Sequence, residues 1–381
     1  MAHLSRRQFT IGSAALAALG SIATRAIAAA ATESGLKDVF ARDFLFGTTL
    51  TTPTLEHGNA ALLDLVAREF NAITADNCMK WGPIEPREGD WQWTLPDRFV
   101  DFGTKHGMHV VGHNLVWHSQ VPAWLFVDEA GKPVSARQLN ERLEKHIRTL
   151  AGRYKGRIAI WDVVNEAIED DDKGWRKSKW FQILGPQYVE RAFHLAHEVD
   201  PKATLLYNDY NEHNPGKRKF IVETIQDYKR RGVPIHGIGF QGHIGLDYPD
   251  LKEYEASIEA IAATGMRIHI TELDIDVLPH AWEHMGAEIS ALQQYSAELN
   301  PYTDGLPAEI QAKLTARYRE FFELLVKHRD KIDRVTTWGT HDGESWKNGF
   351  PVRGRTNYPL LFDRQLQRKP AYAAIAEVAT R

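Results

Sequence analysis

A single cysteine, Cys78, occurs in 381 residues. That excludes an intramolecular disulfide and any cysteine-rich metal site. Nor is there an excess of positive charge: 46 Lys and Arg stand against 50 Asp and Glu, a net charge of −4. A phosphate-binding surface needs clustered Lys and Arg, so nucleic-acid binding is disfavoured. Beyond residue 31 no run reaches the roughly 18 apolar residues of a membrane span. Phosphate-cradling signatures are missing as well. After the first predicted strand the chain reads Gly47-Thr48-Thr49-Leu50-Thr51, without the Gly-x-Gly-x-x-Gly spacing of a dinucleotide loop, and no Gly-x-x-x-x-Gly-Lys-Ser/Thr occurs anywhere. His-Glu-x-x-His is absent, and the first strand carries no His-x-His. His280 and His284 have helical spacing but no third ligand nearby. His113 and His118 are five apart and point differently on a strand and its loop. No metal and no cofactor is assigned. Asp170-Asp171-Asp172 reads as a solvated turn, and Cys78, with no adjacent base, as packing.

What the chain does have is tryptophan, 11 residues of it. Trp is costly to expose and awkward to bury fully, so an excess serves either a bulky core or a stacking surface for flat ligands.

No Asp or Glu precedes Glu33. Ser5-Arg6-Arg7-Gln8-Phe9-Thr10 is followed by an Ala-rich, weakly apolar stretch to Ala31, which resembles a twin-arginine export signal. Ala26-Ile27-Ala28 and Ala28-Ala29-Ala30 fit a small-x-small cleavage site. Arg25 interrupts the apolar stretch, which makes it a poor membrane anchor. Residues 1–30 are therefore expected to be removed, taking three Arg and no acid and leaving a charge of −7. The expectation is a bacterial periplasmic or secreted protein, monomeric and without a membrane anchor once processed.

Residues 31–381 contain no linker or low-complexity tract and read as one domain. Short apolar runs predict strands at 44–49, 72–76, 110–114, 158–164, 204–208, 237–241, 267–273 and 335–339. They are apolar on both faces, as parallel buried strands are. Amphipathic patterns between them, such as 136–150 and 187–198, predict helices. Asn214-Pro215-Gly216 and Tyr248-Pro249-Asp250 look like helix entries. Eight strands alternating with helices make an α/β fold, a single (β/α)8 barrel with long βα loops. The stretch 278–307 is expected to be a loop with some helix.

A barrel places its chemistry at the carboxyl ends of its strands. Those ends carry Asp76 and Asn77, His113, Asn165 and Glu166, Asn208 and Asp209, Gln241 and His243, Glu272, then Trp338 and His341. So many polar groups at one end need mutual partners. Glu166 closes the apolar run Ile160-Trp161-Asp162-Val163-Val164-Asn165, and Glu272 closes Ile268-His269-Ile270-Thr271. Carboxylates on the fourth and seventh strands face each other across the barrel mouth. Glycoside hydrolysis needs such a pair, one to protonate the leaving oxygen and one to attack or to activate water. Asn211-Glu212 is a second Asn-Glu pair, past the fifth strand, and is read as structural.

These residues resemble glycoside hydrolase family 10, which holds retaining endo-1,4-β-xylanases. The resemblance rests on Asp76 to Trp81, Gly112 to Gln120, Trp161 to Ala167, Gln241-Gly242-His243 and Thr271 to Asp274. Trp338-Gly339 and Ser345-Trp346 complete it, so it spans about Phe44 to Lys369. It implies a retaining hydrolase of internal β-1,4-xylosidic bonds, acting on xylan and xylo-oligosaccharides through a covalent glycosyl-enzyme. Glu166 would be the acid/base and Glu272 the nucleophile. Asn165 would bind the 2-hydroxyl of the sugar, and His243, backed by Asp274, would hold the nucleophile. Asp162 would help set the protonation of Glu166. Asp76, Asn77, Lys80, His113 and Gln241 would contact the glycone, and Trp117, Trp338 and Trp346 would line it. Tyr210 would lie on the leaving-group side. The family usually has Glu where this chain has Asp76, one methylene shorter. Cys78 and His341 also depart from the usual pattern. A β-1,4-glucanase on the same barrel and a non-catalytic sugar-binding barrel are the alternative readings.

Overall fold

Nine strands appear in the computed structural model, which describes residues 34–170, 172–279 and 297–380. They are β1 (Leu45–Leu50), β2 (Ala72–Ala75), β3 (His109–Val116), β4 (Ile160–Asn165) and β5 (Thr204–Asp209), then β6 (Gly237–Phe240), β7 (His243–Gly245), β8 (Arg267–Asp276) and β9 (Ile332–Thr337). All pairings among them are parallel. β1 to β6 pair in sequence, β6 pairs β8, β8 pairs β9, and β9 returns to β1, which closes an eight-stranded barrel. The short β7 continues beyond β6 and also pairs with β8. The expected (β/α)8 architecture is therefore present.

The strands are buried on both faces, as their unbroken apolar runs require. All six residues of β4 and all four of β6 are buried. Where a bulky side chain packs across a neighbouring strand, that strand gives way. Trp161 on β4 lies in register with Gly112 on β3, and a Cβ at 112 would fall 2.2 Å from the indole.

The helices start where their sequence offers caps. Asn214 and Asp250 accept backbone N–H bonds at the entries of helices Pro215–Arg231 and Leu251–Ala262. Ser135 and Gln138 form a capping box at the start of Ala136–Arg153. The expected helix at 187–198 is Gln187–Val199. Of the long stretch 278–307, the 3₁₀ turn Ala297–Leu299 is seen. His280 and His284 lie outside the described residues, as do residues 1–30.

Candidate active site

β4 and β5 run side by side with Asn165 in register with Asn208. That lateral pairing builds the centre of the site. Asn208 Nδ2 donates to Asn165 Oδ1 at 2.7 Å and to Glu272 Oε1 at 2.7 Å. Asn165 Nδ2 in turn donates to Glu166 Oε1 at 3.0 Å. The two carboxylates expected to face each other are thus joined through two amides. Thr271 hydroxyl fixes the Asn208 amide by donating to its Oδ1 at 2.6 Å. Glu166 has two further donors, Gln241 Nε2 at 2.8 Å and the Trp117 indole N–H at 2.9 Å. Trp117 is held from behind by the Trp180 indole, which donates to its carbonyl at 2.9 Å.

Glu272 sits in a different electrostatic setting. Burial alone would raise its pKa. The His243 hydrogen bond, together with the positive charges of His113, His243 and Lys80, outweighs burial and holds the carboxyl below its ordinary range. His243 Nε2 lies 3.2 Å from Glu272 Oε2. Its Nδ1 lies 3.1 Å from Asp274 Oδ1, an ion pair turned away from hydrogen-bond alignment. Burial opposes the imidazolium, yet Asp274 and Glu272 together push its pKa up to about 9. Asp274 is itself placed by the Trp346 indole N–H at 2.8 Å and by Lys347 at 3.5 Å.

The residues after β2 form a second polar cluster beside the pair. Lys80 donates to Asn77 Oδ1 at 3.0 Å and to Gln120 Oε1 at 2.8 Å. Asn77 donates to Asp76 at 2.7 Å. Burial lowers the Lys80 pKa, against the opposing pull of Asp76, Glu272 and Glu166. The Lys80 ammonium stands 5.0 Å from the Trp117 ring and 6.0 Å from the Trp338 ring. His113 meets Trp338 edge-on, with ring centroids 5.2 Å apart. The carboxylate partner of His113 is Asp162, whose Oδ2 lies 2.9 Å from Nδ1.

Glu166, Glu272, Asn165, His243, Asp274, Gln241 and Trp117 are thus joined by direct contacts around the two carboxylates, with Asp76, Asn77, Lys80, His113, Asp162, Trp338 and Trp346 in contacts beside them. Three contributors carry no sequence signal of a site role. Asn208 is a polar strand end in the sequence, yet it bonds the nucleophile candidate directly. Gln120 lies inside the quoted run Gly112 to Gln120 but had no role. Arg176, after β4, carries no local pattern that marks it. Cys78 is buried, which pushes its thiol up to about 12 and agrees with packing.

One group among the described residues has metal-ligand donor types, Glu255, Glu259 and His328. It involves the surface helix Leu251–Ala262, and Glu255 is bonded there by Lys327 and His328, both at 2.6 Å. It is an ion-pair cluster apart from the barrel mouth.

The model of glycosyl hydrolase family 10 matches residues 35–378. The chain belongs to glycosyl hydrolase family 10. It is 42% identical over 360 residues to endo-1,4-beta-xylanase A of Xylanibacter ruminicola, covering 94% of this chain and 97% of that one. Among solved structures, a family 10 endoxylanase retrieved from a sugarcane soil metagenome is 54% identical, with a TM-score of 0.87 over 90% of this chain and all of the other. Xylanase XynB of Paenibacillus barcinonensis is 38% identical with a TM-score of 0.81, over 90% of this chain and 98% of its own. The family 10 barrel thus spans nearly all the described residues, with Glu166 directly after β4 and Glu272 within β8.

Proposed function

We propose that the protein is an endo-1,4-β-xylanase that hydrolyses internal xylosidic bonds of xylan and xylo-oligosaccharides with retention. The observation that carries this is the bonded path Glu166, Asn165, Asn208, Glu272 in a family 10 barrel. Glu272, kept ionised by His243 and nearby cations, attacks the anomeric carbon. Glu166 gives its proton to the leaving oxygen as that bond breaks. A glycosyl ester forms on Glu272. Glu166, now a carboxylate, takes a proton from water, which attacks the same carbon and frees Glu272. Two inversions give net retention. Asp76, Asn77, Lys80, His113 and Gln241 bind sugar hydroxyls, and such a site penalises substrates that lack them. Trp117, Trp338 and Trp346 pack on sugar C–H faces.

The run Arg6-Arg7 ahead of an Ala-rich stretch supports export in the folded state, to the periplasm or beyond. Processed protein acts as a monomer in this reading. No helix among the described residues is long and apolar enough to cross a membrane.

Products from xylohexaose, with anomeric configuration followed by NMR, test endo action, sugar identity and retention together. β-Configured short oligomers are expected, with slower cleavage of cellohexaose. In the same assay Glu272→Gln loses hydrolysis but still binds xylohexaose by calorimetry. Initial α-products, or wild-type rates from E272Q, refute the mechanism.

A further inference from the structure

Glu166 has φ = +57°, in the left-handed region that a side chain with Cβ rarely occupies. Such a conformation persists only where its surroundings over-determine it. The N–H of Glu166 is fixed by the Asn208 carbonyl at 2.9 Å. Its carbonyl is held by Arg176, whose Nε donates at 2.8 Å. The same guanidinium donates through Nη2 to the Ile168 carbonyl at 3.2 Å and to Tyr210 Oη at 3.1 Å, and through Nη1 to Glu169 at 3.0 Å. The Arg176 backbone N–H adds a bond to the Ala167 carbonyl at 2.8 Å. Arg176 is 7% exposed, so its fork is committed to the loop rather than to solvent. From the other side, the Tyr207 hydroxyl accepts the Ile168 N–H at 2.9 Å.

We propose that Arg176 is the positioning residue of the acid/base. Its planar fork clamps the backbone carbonyls of Glu166 and Ile168, and so holds Glu166 in the left-handed conformation that turns its carboxyl toward Trp117, Asn165 and Gln241. Lysine can replace it only in part, because one ammonium cannot span both carbonyls and Tyr210 in a plane. Arg176 acts through the placement of Glu166.

This inference rests on Glu166 being the acid/base, and the two can be tested apart. A misplaced acid slows bond cleavage only when the leaving group needs a proton. The measurement is kcat/KM on 2,4-dinitrophenyl β-xylobioside, which needs no acid, and on phenyl β-xylobioside, which does. Azide serves as a substitute nucleophile for the second step. Glu166→Ala is the reference. It should keep the dinitrophenyl reaction, lose the phenyl one and yield glycosyl azide, and if it does not, the role of Glu166 is wrong. Arg176→Met should lose about 100-fold on the phenyl substrate, the usual scale of general acid catalysis, while staying within about twofold on the dinitrophenyl one, because only the acid has moved. Arg176→Lys, which keeps charge and much of the volume, is measured in parallel and decides the matter if R176M does not fold. It should show the same leaving-group split, reduced in size. Equal losses on both substrates, or no loss on either, overturn the proposal even where E166A behaves as expected.

Discussion

His243 is pulled in two directions. Burial favours the neutral ring, but the Asp274 and Glu272 carboxylates win and raise its pKa from 6.5 to about 9. A folded pKa above the unfolded one means that the charged pair contributes its full stability below the unfolded value. That contribution fades as pH rises through about 9. The urea midpoint of the wild type is therefore expected to fall from neutral pH toward pH 10, and His243→Gln should flatten that decline. Equal slopes in the two proteins would refute it. The same residue shows what was legible in the sequence. Gln241-Gly242-His243 stood at a strand end, and Glu272 and Asp274 ended another, so candidates could be named. That one imidazole touches both acids was implied by the family resemblance but carries no local signal, because the contact joins β7 to β8 across 21 residues of helix and loop between them. Asn208 is the sharper case. It closes a predicted strand, but its partners Asn165, Thr271 and Glu272 come from β4 and β8.

At the level of elements, strand identity was legible because unbroken apolar runs of this length suit strands buried on both faces. Strand ends were less so. The predicted strand 237–241 ends at Phe240 as β6, and past Gly242, at φ = +76°, the chain forms a further short strand, β7, that the pattern did not predict. The predicted 267–273 extends to Asp276, since β8 pairs first with β6 and then with β7. Small residues on these strands have a function that composition does not reveal. Gly239 on β6 lies in register with Asn208. A Cβ there would fall 2.3 Å from Asn208 Oδ1 and 2.9 Å from Thr271 Cγ2. Gly239→Ala is expected to displace the amide that serves both Asn165 and Glu272. It should lower kcat on xylan at least tenfold, by loss of oriented donors of the kind worth about 100-fold each. Overpacking should cost a further 1–3 kcal/mol or so of stability. Thermal unfolding and steady-state rates check both, and unchanged kcat would show that Asn208 does not need that space.

For the whole molecule, the tryptophans divide by position. Trp117, Trp338 and Trp346 surround the paired glutamates. Trp81, Trp91 and Trp93 stack with His146 in a column, with ring centroids 3.7 Å apart for Trp81 on His146, 5.6 Å for His146 on Trp91 and 5.0 Å for Trp91 on Trp93. Arg153 covers the outer end, 4.5 Å from Trp93. The column fastens the loop after β2 to helix Ala136–Arg153, so both faces of its middle rings are occupied by protein. Trp161 and Trp180 are buried in the core, and Trp124 and Trp175 pack against it. Trp282 is outside the described residues. The amino terminus makes its own prediction. Arg6→Lys with Arg7→Lys should leave full-length protein in the cytoplasm of a twin-arginine-competent bacterial host, checked by fractionation, while export of the double variant would exclude that route. Sequence by itself determined the strand and helix alternation and the two glutamates, because each is carried by neighbouring residues. Only closure of the barrel decided that Asn208 links the glutamates and that Asp162 pairs with His113. Those contacts join residues from different strands and loops, and parallel strands become neighbours only when the chain between them folds back over the barrel.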